Sequence, residues 1–217
     1  MEIIKLRNVS KSFGQNKILS KANLIIEKGE TAGIIGQNGT GKSVLFKLIC
    51  GICRPDEGEI YINGELLGKK HDFPDRIGIF IDGPGFIDFY TGYRNLKFLA
   101  EIQGIIGDKE IRQAMSKVGL DPHDKTLVKN YSLGMKQKLG IAQALMEDPD
   151  ILLLDEPFNA LDQQSHERMI GLLKEMKNAG KTILLTSHNK DDIEMVCDKK
   201  YQIESQKIVF VRERRVD

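Results

Sequence analysis

The sequence predicts an α/β fold in which helices pack on a mostly parallel sheet, with an antiparallel β flank and an inserted helical subdomain. Three observations predict it. The apolar runs Thr31–Ile35, Ile151–Leu154 and Thr182–Thr186 have the length and composition of buried strands. Residues 164–179 carry helical periodicity and stop at Gly180, so a helix separates two of those strands, as parallel pairing requires. Residues 2–9 alternate, residues 21–27 are apolar-rich, and residues 59–62 lead into Asn63-Gly64, a strong hairpin signal. These last segments predict the antiparallel layer.

In chain order, the two ends read as edge pieces. Thr31–Ile35 runs into a glycine-rich loop, after which residues 43–50 continue as a helix stopped at Gly51. A strand at 77–81 follows. Residues 95–103, 109–118 and 135–147 then carry helical periodicity, which sets the insertion at about 84–147. Residues 199–211 read as a final hairpin, with a basic stretch at 212–215 expected to be a solvated end. No fixed-period repeat or low-complexity linker interrupts residues 1–217, so they read as one domain.

Composition narrows the function by exclusion. A chain of 217 residues can bury a substantial core, and 32 Lys plus Arg against 31 Asp plus Glu leave a formal charge of +1. Such a balance provides no field for nucleic acid or anionic lipid, and no nucleic-acid partner is expected. The apolar runs fall far short of the roughly 20 residues that cross a bilayer, so no direct membrane span is expected. The N-terminus lacks the basic start and apolar stretch of a secretory signal, which makes the cytoplasm the expected compartment. Cys50, Cys53 and Cys197 read as reduced thiols; Cys50-x-x-Cys53 has no second Cys/His pair with which to hold zinc.

The chemistry concentrates in two segments. Gly36-Gln37-Asn38-Gly39-Thr40-Gly41-Lys42-Ser43 fits the phosphate-binding loop pattern, in which glycines let backbone amides curl around phosphates at a helix N-terminus. Lys42 adds a charge for the β and γ phosphates of ATP, and the Ser43 hydroxyl suits Mg²⁺. The strand Ile151–Leu154 ends in Asp155-Glu156, placing two carboxylates where an α/β sheet exposes its ligand groups. Asp155 suits Mg²⁺, and Glu156 is free to act as general base toward an attacking water. Together they place the chain among P-loop NTPases.

A third segment completes a resemblance that covers nearly the whole chain. Tyr131-Ser132-Leu133-Gly134-Met135-Lys136-Gln137 stands shortly before the Asp155-Glu156 strand, where the nucleotide-binding subunits of ATP-binding cassette (ABC) transporters carry their signature Leu-Ser-Gly-Gly-Gln. Taken alone, Ser132-Leu133-Gly134 is an ordinary helix N-cap. The resemblance implies a RecA-like P-loop core. It also implies that Ser132 and Gly134 meet the ATP held by a second protomer, so that function requires two cassettes, in a homodimer or a heterodimer.

His188 resembles the switch histidine of that family, and Asn159-Ala160-Leu161-Asp162 resembles the loop that touches the opposite protomer. Phe13 lies where an aromatic ring stacks on adenine, although a single Phe serves a core equally well. Two positions in the signature depart from the pattern, Leu133 and Met135. Asp82 stands where most members carry a glutamine that links Mg²⁺ to the helical insertion, and a carboxylate there still suits the metal. Asp82, the following Gly-Pro-Gly-Phe and the signature variant resemble cassettes of bacterial exporters linked to peptide-antibiotic and multidrug resistance. The resemblance implies ATP and Mg²⁺ as cofactors, and a separate membrane permease as partner, with the chain held at the inner face of the membrane. The alternative is a soluble ABC-type ATPase acting on ribosomes or DNA, whose second fused cassette or long coiled coil the sequence does not contain.

Overall fold

The computed structural model describes residues 1–69, 71–83 and 85–213. Pro84, at the expected start of the insertion, and residues 214–217, which include Arg214 and Arg215 of the basic stretch, lie outside them. Two sheets enclose the first helix. The antiparallel layer comprises β1 (Glu2–Phe13), β2 (Asn16–Glu27), β4 (Glu57–Ile62) and the short β5 (Glu65–Leu66), in the order β2-β1-β4-β5. Asn63 and Gly64 both adopt positive φ at the turn between β4 and β5, the conformation that an Asn-Gly hairpin favours.

The larger sheet contains β3 (Thr31–Ile35), β6 (Ile77–Phe80), β7 (Ile151–Leu154), β8 (Thr182–Thr186), β9 (Lys199–Glu204) and β10 (Lys207–Glu213). Its order is β10-β9-β3-β8-β7-β6; five strands run parallel, and β10 returns antiparallel beside β9. β7 and β8 are buried along their whole length because both faces are covered, which is why they read as continuous apolar runs. Alternate residues serve two cores. Ile151 and Leu153 face α1 (Lys42–Ile49) and the antiparallel layer, while Leu152 and Leu154 face the other helices.

Between β6 and β7 lie α2 (Gly92–Gln103), α3 (Asp108–Lys117), a 3-10 turn at Val128–Asn130 and α4 (Leu133–Leu145). After β7 come α5 (Gln163–Asn178) and α6 (Lys190–Val196). Helices α2, α4 and α5 begin before the periodic apolar residues do, because Thr91, Ser132 and Asp162 cap them by accepting bonds from Arg94 N, Met135 N and Ser165 N.

Three sequence expectations change. The N-terminal strand is not an edge piece: β1 runs between β2 and β4. Nor is the final hairpin wholly peripheral, since β9 pairs parallel with β3 in the middle of the sheet and only β10 forms the edge; Arg212 belongs to that strand. Helix α6 was not expected. Its seven residues open on a polar Lys190-Asp191-Asp192 run, and its start is secured by Asn189 Oδ1 accepting from Asp191 N at 3.0 Å.

Candidate active site

The parallel strands deliver their C-terminal ends to one edge, and the loops there carry the charged residues. Residues 36–43 join β3 to α1. Gly41 has a φ of 103° and a Cβ there would stand 2.5 Å from Ile18 Cγ2, so only glycine suits both the turn and the packing. No side chain caps α1 and no acidic residue lies in its first turn, which leaves its positive end open to an anion. Lys42, 7% exposed, donates its Nζ to Gly36 O at 2.7 Å and Gln37 O at 3.2 Å, so the ammonium is folded against its own loop. Thr40 Oγ1 donates to Gln37 O at 2.9 Å, and Gly39 takes a φ of 81°. Gly36, Gln37 and Asn38 line one wall of a cleft of about 490 Å³ whose other wall includes Ser187 and His188.

The Asp155-Glu156 pair is organised by the neighbouring strand. β7 and β8 are in register with Leu154 opposite Leu185, which brings Asp155 level with Thr186. Ser43 Oγ donates to Asp155 Oδ2 at 2.5 Å, and Thr186 Oγ1 donates to Asp155 Oδ1 at 2.6 Å. The same threonine hydroxyl accepts from Glu156 N at 2.8 Å. Glu156 itself sits at a φ of 51°, turned out of the strand, and its Oε2 accepts from His188 N at 3.1 Å and stands 2.9 Å from His188 Nδ1. Its other oxygen lies 4.0 Å from Lys42 Nζ. Lys42, Ser43, Asp155, Glu156 and His188 therefore meet within one polar cluster.

The other expected site residues lie around this cluster. Ser132 is the N-cap of α4, its Oγ accepting from Met135 N at 3.2 Å, as its local sequence alone suggests. Gly134 has a further requirement, because a Cβ would stand 2.6 Å from Ala160 O; the segment is packed on the 159–162 loop. Gln137 Nε2 donates to Glu156 O at 2.8 Å, linking α4 to the carboxylate loop. Phe13 closes β1 and is 50% exposed, with Lys11 Nζ 5.3 Å from its ring centroid, so it serves no core. Asp82 has a φ of 57°, and its carboxylate pairs at 2.5 Å with Nζ of Lys47, one helical turn beyond Ser43. That hydrogen bond raises the Lys47 pKa above its ordinary value, against the opposing effect of burial.

Sequence reasoning missed Thr186 and the role of Gln137 as a tie to Glu156. A threonine at a strand end reads only as a β-former, and the available signal was the register that sets it beside Asp155.

The sequence profile of the ABC transporter family matches residues 19–159. An uncharacterized ABC transporter ATP-binding protein of Bacillus subtilis strain 168, YybJ, is 40% identical over 90% of each chain. The lantibiotic transport ATP-binding protein SrtF of Streptococcus pyogenes is 34% identical, over 97% of this chain and 91% of that one. The bacitracin transport ATP-binding protein BcrA of Enterococcus faecalis is also 34% identical, over 90% of this chain but only 64% of that protein. Among solved structures, a dimeric bacterial ABC transporter cassette superposes with a TM-score of 0.86 at 27% identity, covering 98% of both chains. A post-hydrolysis state of an ATP-binding cassette, dimeric and bound to ADP and Pi, gives 0.85 at 26% identity over the same 98% of each. The clustering of Lys42, Asp155 and Glu156 at the sheet's C-terminal edge and the extent of these matches lead to one conclusion: the chain belongs to the ABC transporter family, as an ATP-binding subunit with ATPase activity.

Proposed function

We propose that this subunit works as one of a pair of cassettes, hydrolyses Mg-ATP at the interface between them, and drives a separate membrane permease that exports a peptide antibiotic or related compound. The observation that carries the reading is the continuous chain of bonds Ser43–Asp155–Thr186–Glu156–His188. The amides of 36–43 and Lys42 take the phosphates, Lys42 exchanging its loop carbonyls for phosphate oxygens. Ser43 Oγ and Asp155 Oδ2, hard oxygens 2.5 Å apart, would hold Mg²⁺. Bound there, Mg²⁺ would supply positive charge against the mutual repulsion of the phosphates.

Glu156 accepts the proton of the water that attacks the γ phosphorus, and the bond to the β-bridging oxygen breaks to release ADP and phosphate. His188, in contact with Glu156 Oε2, orients that carboxylate and faces the same γ phosphate. Asp82, paired here with Lys47, would be a further oxygen group toward that ion, and Phe13 stacks on adenine. Ser132 and Gly134 address the ATP of the partner protomer, across the N-terminal end of α4.

The insertion carrying α2 to α4 is the docking surface for the permease. A cleft of about 750 Å³ runs between it and the start of β6, and Phe73, Ile102 and Ile105 are exposed along it. No helix among the described residues is long and apolar enough to cross a membrane, in keeping with a subunit held at the inner face through that permease. The names of the bacitracin and lantibiotic transport relatives support the substrate class.

The test compares ATP binding and turnover of wild type, Glu156→Gln and Lys42→Ala. Glu156→Gln should bind ATP as wild type does and lose turnover by about 100-fold or more, whereas Lys42→Ala should lose binding and turnover together. Equal hydrolysis by Glu156→Gln and wild type overturns the role of Glu156.

A further inference from the structure

Behind the β8–α6 loop that carries His188 lies a buried carboxylate that the reaction scheme does not use. Asp192, in the first turn of α6, is 3% exposed. Its Oδ2 accepts from Ser187 Oγ at 3.0 Å, and its Oδ1 stands 2.8 Å from His166 Nε2 and 3.4 Å from Asn189 Nδ2. Ser187 is 2% exposed and immediately precedes His188; its Oγ also accepts from Asn189 N at 3.0 Å. A carboxylate removed from water needs donors around it, so each group that bonds Asp192 is held in place by a strong local demand.

The fourth participant comes from another element. His166 lies in the first turn of α5, the helix capped by Asp162, and its ring centroid is 5.0 Å from that of Phe158. A path of direct contacts thus runs from α5 through His166, Asp192 and Ser187 to the backbone of His188, and from its imidazole to Glu156. It joins the helix that begins on the 159–162 loop to the group touching the general base.

We propose that Asp192 and His166 are positioning residues for hydrolysis: their buried pair fixes Ser187, and through it holds the His188 imidazole against Glu156 in step with the 159–162 loop. The inference rests on the roles given above to Glu156 and His188. A merely structural pair would lower stability whatever stands at position 188. A positioning pair acts on turnover, and only while His188 is present.

A double-mutant cycle on the full chain separates the two. Asp192→Asn, His188→Ala and the double variant are compared with wild type for kcat and KM toward Mg-ATP. His166→Ala and His166→Arg provide a less buried second pair should Asp192→Asn fail to fold. Asp192→Asn and His166→Ala should lower kcat about tenfold with KM changed less than about twofold, and Asp192→Asn should cost nothing further in His188→Ala. His166→Arg, which retains donors toward Asp192, should recover most of the loss. The ¹⁵N resonances of the His188 imidazole should shift in Asp192→Asn. Additive losses in the cycle, unchanged kcat in both single variants, or no recovery in His166→Arg overturn the inference. Unchanged kcat in His188→Ala instead overturns the role of His188 itself, and the inference with it.

Discussion

Single atoms decide several features of this cassette. At Gly134 the backbone passes so close to the 159–162 loop that a methyl group would meet Ala160 O at 2.6 Å. Gly134→Ala is therefore expected to cost about 1–3 kcal/mol by overpacking, read as a lowered melting temperature. Turnover should fall more than stability, since the loop and the α4 N-terminus are displaced together. Charge at the opposite end of the sheet behaves differently. Arg76 Nε donates to Asp150 Oδ2 at 2.5 Å, and this bond holds the Asp150 pKa below the usual carboxylate range. A carboxylate depressed in the folded state stabilises above its unfolded pKa, and that contribution is lost as pH falls through the folded value. Both side chains are about half exposed, so solvent and salt screen the pair. Chemical denaturation should find Arg76→Met slightly less stable than wild type at pH 7, and that difference should fade as pH falls below the unfolded pKa of about 3.9.

At the scale of elements, the insertion depends on one buried amide. Asn95, 4% exposed, accepts from Ile87 N at 2.7 Å and donates to Ile87 O at 3.1 Å and Thr91 O at 3.0 Å. It ties the segment before α2 to that helix's first turn. Asn95→Ala leaves Ile87 N without its acceptor, whereas Ile87 O and Thr91 O keep the amides of Tyr90 and Asn95, and should cost about 1–3 kcal/mol. Hydrogen exchange should quicken at Ile87 and through α2 while the protection of β3, β7 and β8 stays unchanged. Loss of protection throughout the parallel sheet would mean that the insertion and the core unfold as one unit.

For the whole molecule, the expected state is a nucleotide-dependent pair. The Glu156→Gln chain with Mg-ATP should run as a dimer by light scattering, and without nucleotide as a smaller species. At 100 times its dissociation constant, Mg-ATP should add about 2.7 kcal/mol of stability to that variant. A single species of unchanged size at saturating ATP contradicts the paired cassette. The cleft beside α2 is lined by none of residues 36–43, Ser132 or Gly134, so under the proposed function Ile102→Asp should weaken permease capture and leave ATP-dependent pairing intact.

Local sequence determined a great deal here. Thr31–Ile35, Ile151–Leu154 and Thr182–Thr186 were legible to the residue because strands covered on both faces must be apolar throughout. The passage from β3 through the 36–43 loop into α1 was legible because glycines and a lysine at that spacing follow an apolar strand. Tertiary structure decided the rest. The placement of β1 and β9 inside their sheets depends on partners distant in the chain, which alternation cannot name. Thr186 joined Asp155 and Glu156 only through the register of β7 with β8, and Asp192 met His166 only through the packing of α6 near α5. The pairing of Asp82 with Lys47 was equally hidden, since a sequence shows an acidic residue but not the cation that folding sets beside it. Composition and spacing state which groups are present; the crossing of strands and helices states which of them touch.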